Sequence, residues 1–313
     1  MGDLPRLRSS RATAACLFAL LAAPIALHGQ TAAPRFFAPG TITIAEATTY
    51  RPTFGADGRW VIYSMEVGGG YVLLESRRAG AGWTAPRLLP FSGRWSDAEA
   101  ALSPDGRVLV FASKRPRADS AARTDYDLWM VDRTAGGSWG EPRPLDALST
   151  TANELYPSLT RDGTLYFTRS SPDGSDLWRA EGRGGGYTAP VPVAEINTDR
   201  RESSAWVDAA ERVMLFESNR AGSLGGNDLF VSCRTGGAWG PPRRLDAPGN
   251  SADHDGSGVL SPDGRTLYFT SNRRTPAGAV LGHGTTYPDL LRRLRAPGNG
   301  RWHTYEMPVP FDC

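Results

Sequence analysis

The chain has 313 residues, 40% hydrophobic and 22% charged, with a formal net charge of +2. That is ample for a buried core and short for a large repeat domain plus a separate catalytic one. Its 36 glycines and 24 prolines do not recur every third residue, which excludes collagen, and they fall as turn signals between short apolar runs.

Residues 1–29 stand apart. Arg6, Arg8 and Arg11 precede an apolar stretch over 12–27 broken only by Thr13 and Pro24, and small Gly29 then precedes Gln30. This reads as a secretory signal peptide. About 16 moderately apolar residues interrupted by proline is short for a membrane span. Cys16 opens the apolar stretch instead of following it, unlike a lipoprotein cleavage site. Cleavage removes three of the 35 basic and one of the 33 acidic residues, leaving 32 of each. A neutral mature chain argues against nucleic acid as a partner. The expectation is a periplasmic or secreted monomer with no membrane span after cleavage. Two cysteines remain, Cys233 and Cys313. An oxidising compartment permits a bridge, but sequence does not supply the Cα separation a bridge needs.

Residues 30–40 read as a flexible lead-in and residues 41–313 as one repeat domain. The repeat is anchored on Asp57-Gly58, Asp105-Gly106, Asp162-Gly163 and Asp263-Gly264, with Ala210-Glu211 as a degenerate copy. Asp-Gly favours a tight hairpin, because glycine accepts positive φ freely. Short strands are predicted before each turn (51–54, 100–103, 156–160, 204–207, 258–261) and after it (60–64, 108–113, 165–168, 213–218, 266–271). The second set is rich in β-branched and aromatic residues, as strands are. A third strand opens at Asp127-Leu128-Trp129, Asp176-Leu177-Trp178, Asp228-Leu229-Phe230 and Asp289-Leu290-Leu291, or at Tyr71 in the first copy. Trp83, Trp139, Tyr187, Trp239 and Trp302 then lead into a fourth. Pro86, Pro142, Pro190 and Pro242 suit an outer edge, since proline lacks a ladder donor.

Four short strands in each of five copies predict an all-β propeller of about five blades, roughly 48–92, 93–150, 151–199, 200–250 and 251–313. A sixth blade lacks sequence to build it. Residues 41–47, similar to 191–195, are the expected closing strand. Because Trp302 to Pro310 already reads as a fourth strand, the last blade has either five strands or a swapped edge.

Ser103-Pro104-Asp105-Gly106-Arg107 and Ser261-Pro262-Asp263-Gly264-Arg265 resemble the WD40-like PD40 repeat of TolB-like propellers. Ser218-Asn219-Arg220, Ser271-Asn272-Arg273 and Gly225-Gly226-Asn227-Asp228 are similar to that family too. The resemblance covers about residues 48–310. It implies a periplasmic scaffold that binds an envelope protein or peptide. The chain departs from TolB itself in lacking a separate N-terminal domain and in showing five copies, not six. Propellers also host enzymes, so the repeat does not fix function.

Eight residues before each turn stand Asp97, Glu154, Glu202 and Asp255, with Thr49 in the first copy. Such a position opens the innermost strand, so four carboxylates could ring one channel mouth and receive a basic peptide or a cation. The local alternative is that each accepts hydrogen bonds from its own loop. Arg115, Arg220 and Arg273 are expected to pair with the aspartate of the third strand or of the turn, and Trp139 and Trp239 to pack between blades. Gly136-Gly137-Ser138-Trp139-Gly140 fits a nucleophile elbow, but its context is a β-turn and the next copy has Ala238. Residues 253–258 resemble a fragment of a calcium loop; no other cofactor is expected, and His254, His283 and His303 lack zinc-ligand spacing. The inserts 116–126 and 275–288 could carry function as long loops do. The leading expectation is a non-catalytic binder. The alternative is a carbohydrate-active enzyme with carboxylates at the central channel.

Overall fold

A computed structural model describes residues 1–2, 32–117, 124–274 and 286–313. The signal-peptide reading, most of the two long inserts and His283 lie outside the described residues. Residues Thr31–Cys313 form one unit.

The protein is a five-bladed β-propeller, and the repeat grammar dictates it. In each copy an inner strand (Thr49–Phe54, Asp97–Leu102, Asn153–Leu159, Glu202–Val207, Asp255–Leu260) turns back into a second strand (Trp60–Val67, Val108–Ser113, Leu165–Ser171, Val213–Ser218, Thr266–Ser271). The turn works by local chemistry. In the second blade the Gly106 N–H donates to the Ser103 carbonyl at 2.8 Å, and the Asp105 carboxylate accepts from Ser103 Oγ at 2.6 Å. Gly106 sits at φ +71°, where a side chain would be strained.

Third strands follow at Gly70–Ala79, Asp127–Asp132, Gly174–Ala180 and Asp228–Thr235, and two-residue outer strands lie on them at Arg87–Leu88, Arg143–Pro144, Val191–Pro192 and Arg243–Arg244. A lone four-stranded sheet cannot cover both faces. Here five apolar clusters each join two neighbouring blades, one cluster per interface. Trp60, Leu73, Phe111 and Trp129 join blades one and two, for example, and Val61, Tyr63, Val259 and Tyr268 join the first blade to the last. Trp139 packs on Trp60 and Trp239 on Tyr166, so these aromatics sit between blades.

The last blade departs from expectation. Asp289-Leu290-Leu291 is not a third strand; it lies in the helix Tyr287–Leu294. The third strand is His303–Pro308, the segment read as a fourth. The outermost strand comes from the other end of the chain, as Arg35–Phe36 pairs with Glu306 and Tyr305. Residues 41–47 form turns, not the closing strand, and the 30–40 segment is anchored from Arg35 onward. Phe37 explains why: it is buried among Phe54, Trp83 and Tyr268, where first and last blades meet. Cys233 and Cys313 are bonded, with Cα atoms 5.4 Å apart, tying the C-terminal tail to the fourth blade.

Candidate functional site

Asp97, Glu202 and Asp255 open their inner strands and Glu154 stands second in its own, and all four are fully buried, 0% exposed. Each is held locally. Asp97 accepts from Ser113 Oγ at 2.6 Å and Arg115 Nη2 at 2.7 Å. Glu202 accepts from the Thr198 N–H, Thr198 Oγ1, Ser218 Oγ and Arg220. Asp255 accepts from the Ser251 N–H, Ser251 Oγ and Arg273. Glu154 accepts from Thr150 and Arg169, and burial raises its carboxyl pKa. The arginines therefore pair with the inner-strand acid, not with the turn or third-strand aspartate. Arg169, which the repeat pattern missed, does so too. Each guanidinium lies 4.4–5.6 Å from two ring centroids of its own blade. Each also donates to a carbonyl of the loop arriving from the previous blade (Phe91, Leu148, Ile196, or Pro248 and Gly249). Acid, arginine and aromatics thus form a clamp at the head of the blade, with the acid carboxylates turned into it.

A different position faces the axis. Two residues beyond each acid position the inner strand carries a β-bulge. The five residues there, Arg51, Glu99, Tyr156, Ser204 and Ser257, all have positive φ, between 37° and 55°. Left-handed backbone at non-glycine residues costs about 1–2 kcal/mol each, and bulges re-aim side chains. Five such outliers in register bring an arginine, a glutamate, a tyrosine and two serines to the channel.

Arg51 is 2% exposed. Its Nη2 donates to the Pro157 carbonyl at 3.1 Å and the Ala205 carbonyl at 2.6 Å, spanning to blades three and four. Its Nη1 has no hydrogen-bond partner among the described residues. Burial lowers its pKa, opposed by Glu99. Glu99 is 5% exposed, and its Oε2 also lacks a partner among the described residues. Burial pushes its pKa up to about 7, with Arg51 pulling down and Glu217 pushing up. Glu217 reaches this cluster from a second strand, accepting from Ser203 Oγ at 2.6 Å and the Ser257 N–H at 3.2 Å. A Cβ on Gly256 would fall 1.7 Å from its Oε2, so a side chain there would displace the Glu217 carboxylate from this position. Tyr156 lies under the Arg51 guanidinium, 5.7 Å from centroid to Cζ.

The cluster divides the channel. On the clamp side stand Tyr50, Tyr71 and Tyr126; burial raises all three phenol pKa values, and the charge of Glu99 adds to the rise in each. Tyr50 also packs on Trp302, and Trp302 on His254. On the turn side a funnel of about 590 Å³ opens between the hairpin turns. Its wall includes Phe54, Leu102, Leu159, Trp206, Val259 and Phe311, with Arg161, Arg212, Asp208 and Asp263 among its polar groups. It narrows to a throat of about 40 Å³, lined by Ser158, Trp206, Val207 and Val259, that Arg51 bounds.

Among the described residues no group of three or more His, Cys, Asp or Glu side chains is placed to hold a metal. In the calcium-like 253–258 segment, Asp255 is taken up by Ser251 and Arg273. His303 is buried and its pKa falls to about 4, from burial and then Arg301. Ser138 lies in a hairpin turn closed by the Thr134 N–H to the Ser138 carbonyl, without the helix an elbow needs. No described helix is long and apolar enough to cross a membrane.

No protein-family model and no curated protein sequence matches the chain. Solved structures do. Putative TolB from Agrobacterium tumefaciens is 16% identical over 85% of this chain and 91% of that one, with a TM-score of 0.50. Alpha-L-arabinofuranosidase from Lactobacillus brevis is 12% identical over 85% and 92%, with a TM-score of 0.52. TolB from Acinetobacter baumannii is 12% identical, with a TM-score of 0.48; the match spans 84% of this chain and 55% of that one. At such identities the likeness is one of fold, a β-propeller shared by the TolB structure and the arabinofuranosidase alike.

Proposed function

We propose that the protein is an exported, periplasmic or secreted propeller that binds an envelope protein or peptide without transforming it, and that it does so through the turn-side funnel. The observation that carries this reading is the funnel itself. At about 590 Å³ it falls within the size range of ligand pockets, and its wall sets apolar side chains (Phe54, Leu159, Trp206, Val259) beside hydroxyl and charged groups of both signs, the mixed surface a peptide presents in return. The TolB name among the structural neighbours agrees with it. The buried acids Asp97, Glu154, Glu202 and Asp255 are, in this reading, the anchors that hold the blades around the receptor.

Capture from an envelope extract of the source organism tests it, comparing the mature protein with a folded Trp206→Glu variant. A partner held by the first and lost by the second supports the reading; equal capture by both moves the site away from the funnel.

One observation favours the enzyme alternative. Glu99 and Glu217 are two carboxyls at the channel axis, and the high pKa of Glu99 suits a general acid. Against it, Glu217 uses one oxygen on Ser203 and the other on the Ser257 N–H. Turnover of chromogenic glycosides that vanishes in Glu99→Gln would replace the binder reading.

A further inference from the structure

A charged group that is almost wholly buried and only partly satisfied is expensive to keep. Arg51 is such a group. Two carbonyls take its Nη2, while its Nη1 stays without a hydrogen-bond partner, and its guanidinium bounds the narrow end of the funnel. The strained backbone at Arg51 is what turns the side chain inward, so the group is held there against a local cost. No ion pair within 4.0 Å links it to Glu99 or Glu217 among the described residues.

We propose that the throat below Arg51 is a carboxylate receptor and that its ligand is the free C-terminal end of a peptide chain; this rests on the funnel reading above and names what the funnel takes. Three features select that ligand. The free N–H groups of a guanidinium match a carboxylate in charge and geometry. The throat ends at Arg51, so a chain cannot thread past it and only an end can reach the apex. The wall next to the apex brings aliphatic side chains (Leu102, Leu159, Val207, Val259) and the Trp206 ring together with the hydroxyls of Thr53 and Ser158, which suits a terminal residue with both a side chain and a polar backbone. Further out, the polar groups Arg161, Asp208, Arg212 and Asp263 of both signs suit a peptide backbone better than an alkyl chain.

The test is calorimetric titration of the mature protein with N-acetyl-Ala-Ala-Leu as the free acid, with its C-terminal amide, and with octanoate. The acid is expected to bind at least tenfold more tightly than the amide, about 1.4 kcal/mol, and more tightly than octanoate. Arg51→Gln, if folded, is expected to bind acid and amide alike; the acid-to-amide comparison on the unaltered protein decides the matter if it does not fold. Equal affinity for acid and amide overturns the receptor and leaves the funnel as a binding surface. Tighter binding of octanoate overturns the peptide assignment. Binding of none of the three overturns the proposal, while the Trp206→Glu capture experiment judges the funnel reading separately.

Discussion

Replacing Glu202 with alanine removes the centre of the fourth-blade clamp. Four donors lose their acceptor at once: the Thr198 N–H at 2.8 Å, Thr198 Oγ1 at 2.9 Å, Ser218 Oγ at 2.8 Å and Arg220 Nη2 at 3.1 Å. Arg220 keeps its carbonyl bond to Ile196 and its two aromatic neighbours but is left as a largely buried, unpaired cation. Breaking a buried pair from one side costs about 3–5 kcal/mol. For a domain of this size that is a Tm drop of roughly 5–8 °C. Glu202→Gln keeps the shape and one acceptor, and is expected to lose about 1–2 kcal/mol. The assay is urea and thermal unfolding of the mature, disulfide-bonded protein. Glu195→Ala serves as an exposed control and is expected to stay within about 0.5 kcal/mol of the parent. A loss below about 1 kcal/mol in Glu202→Ala would refute the clamp and return the acid ring to the list of ligand contacts.

Three further predictions concern the axis and the ring closure. Glu99 has a folded pKa of about 7, above its ordinary 4.5, so the native state holds its proton more tightly than the unfolded chain. Its contribution is full below pH 4.5 and is lost as pH rises through 7; Glu99→Gln is expected to remove that decline, read as the difference in urea midpoint between pH 5 and pH 8. Phe37→Ala opens the junction of first and last blades and is expected to cost about 3–5 kcal/mol by urea unfolding; a loss under about 1 kcal/mol would show that the N-terminal strand is dispensable. The double variant Cys233→Ser, Cys313→Ser is expected to lose about 2–4 kcal/mol without change of fold, measured by thermal unfolding and circular dichroism.

The strands of the first four blades were legible because their signals are local: a turn dipeptide flanked by two short apolar runs. The predicted second strands at 108–113, 213–218 and 266–271 match Val108–Ser113, Val213–Ser218 and Thr266–Ser271. The inner strands begin two or three residues earlier than expected, since their polar opening residues (Thr49, Asp97, Asn153, Glu202, Asp255) read as loop. The last blade was misread for a physical reason. Asp289-Leu290-Leu291 copies the repeat but lies in a helix, and its place is filled by His303–Pro308 and by Arg35–Phe36. Two residues pairing across 271 positions leave no local trace. The axis was missed for the opposite reason to the one that revealed the acids. A search for repeats rewards positions where copies agree, and Arg51, Glu99, Tyr156, Ser204 and Ser257 disagree. The usable signal was that variation, at a fixed offset of two from a position that is acidic in four of the five copies.

The borrowed outer strand also sets an order of events. The first four blades close contacts within stretches of about 50 residues, whereas the fifth waits for both ends of the chain, joined at Arg35 and Glu306. In the unfolded chain, loop entropy makes that joining about 1.5 kcal/mol harder than a 50-residue closure, a cost that falls once the intervening blades have formed. Four blades can therefore stack as they emerge, but the axis cluster needs its Arg51 blade locked against the final one. The receptor is completed last, so a partially made chain carries blades but no working throat.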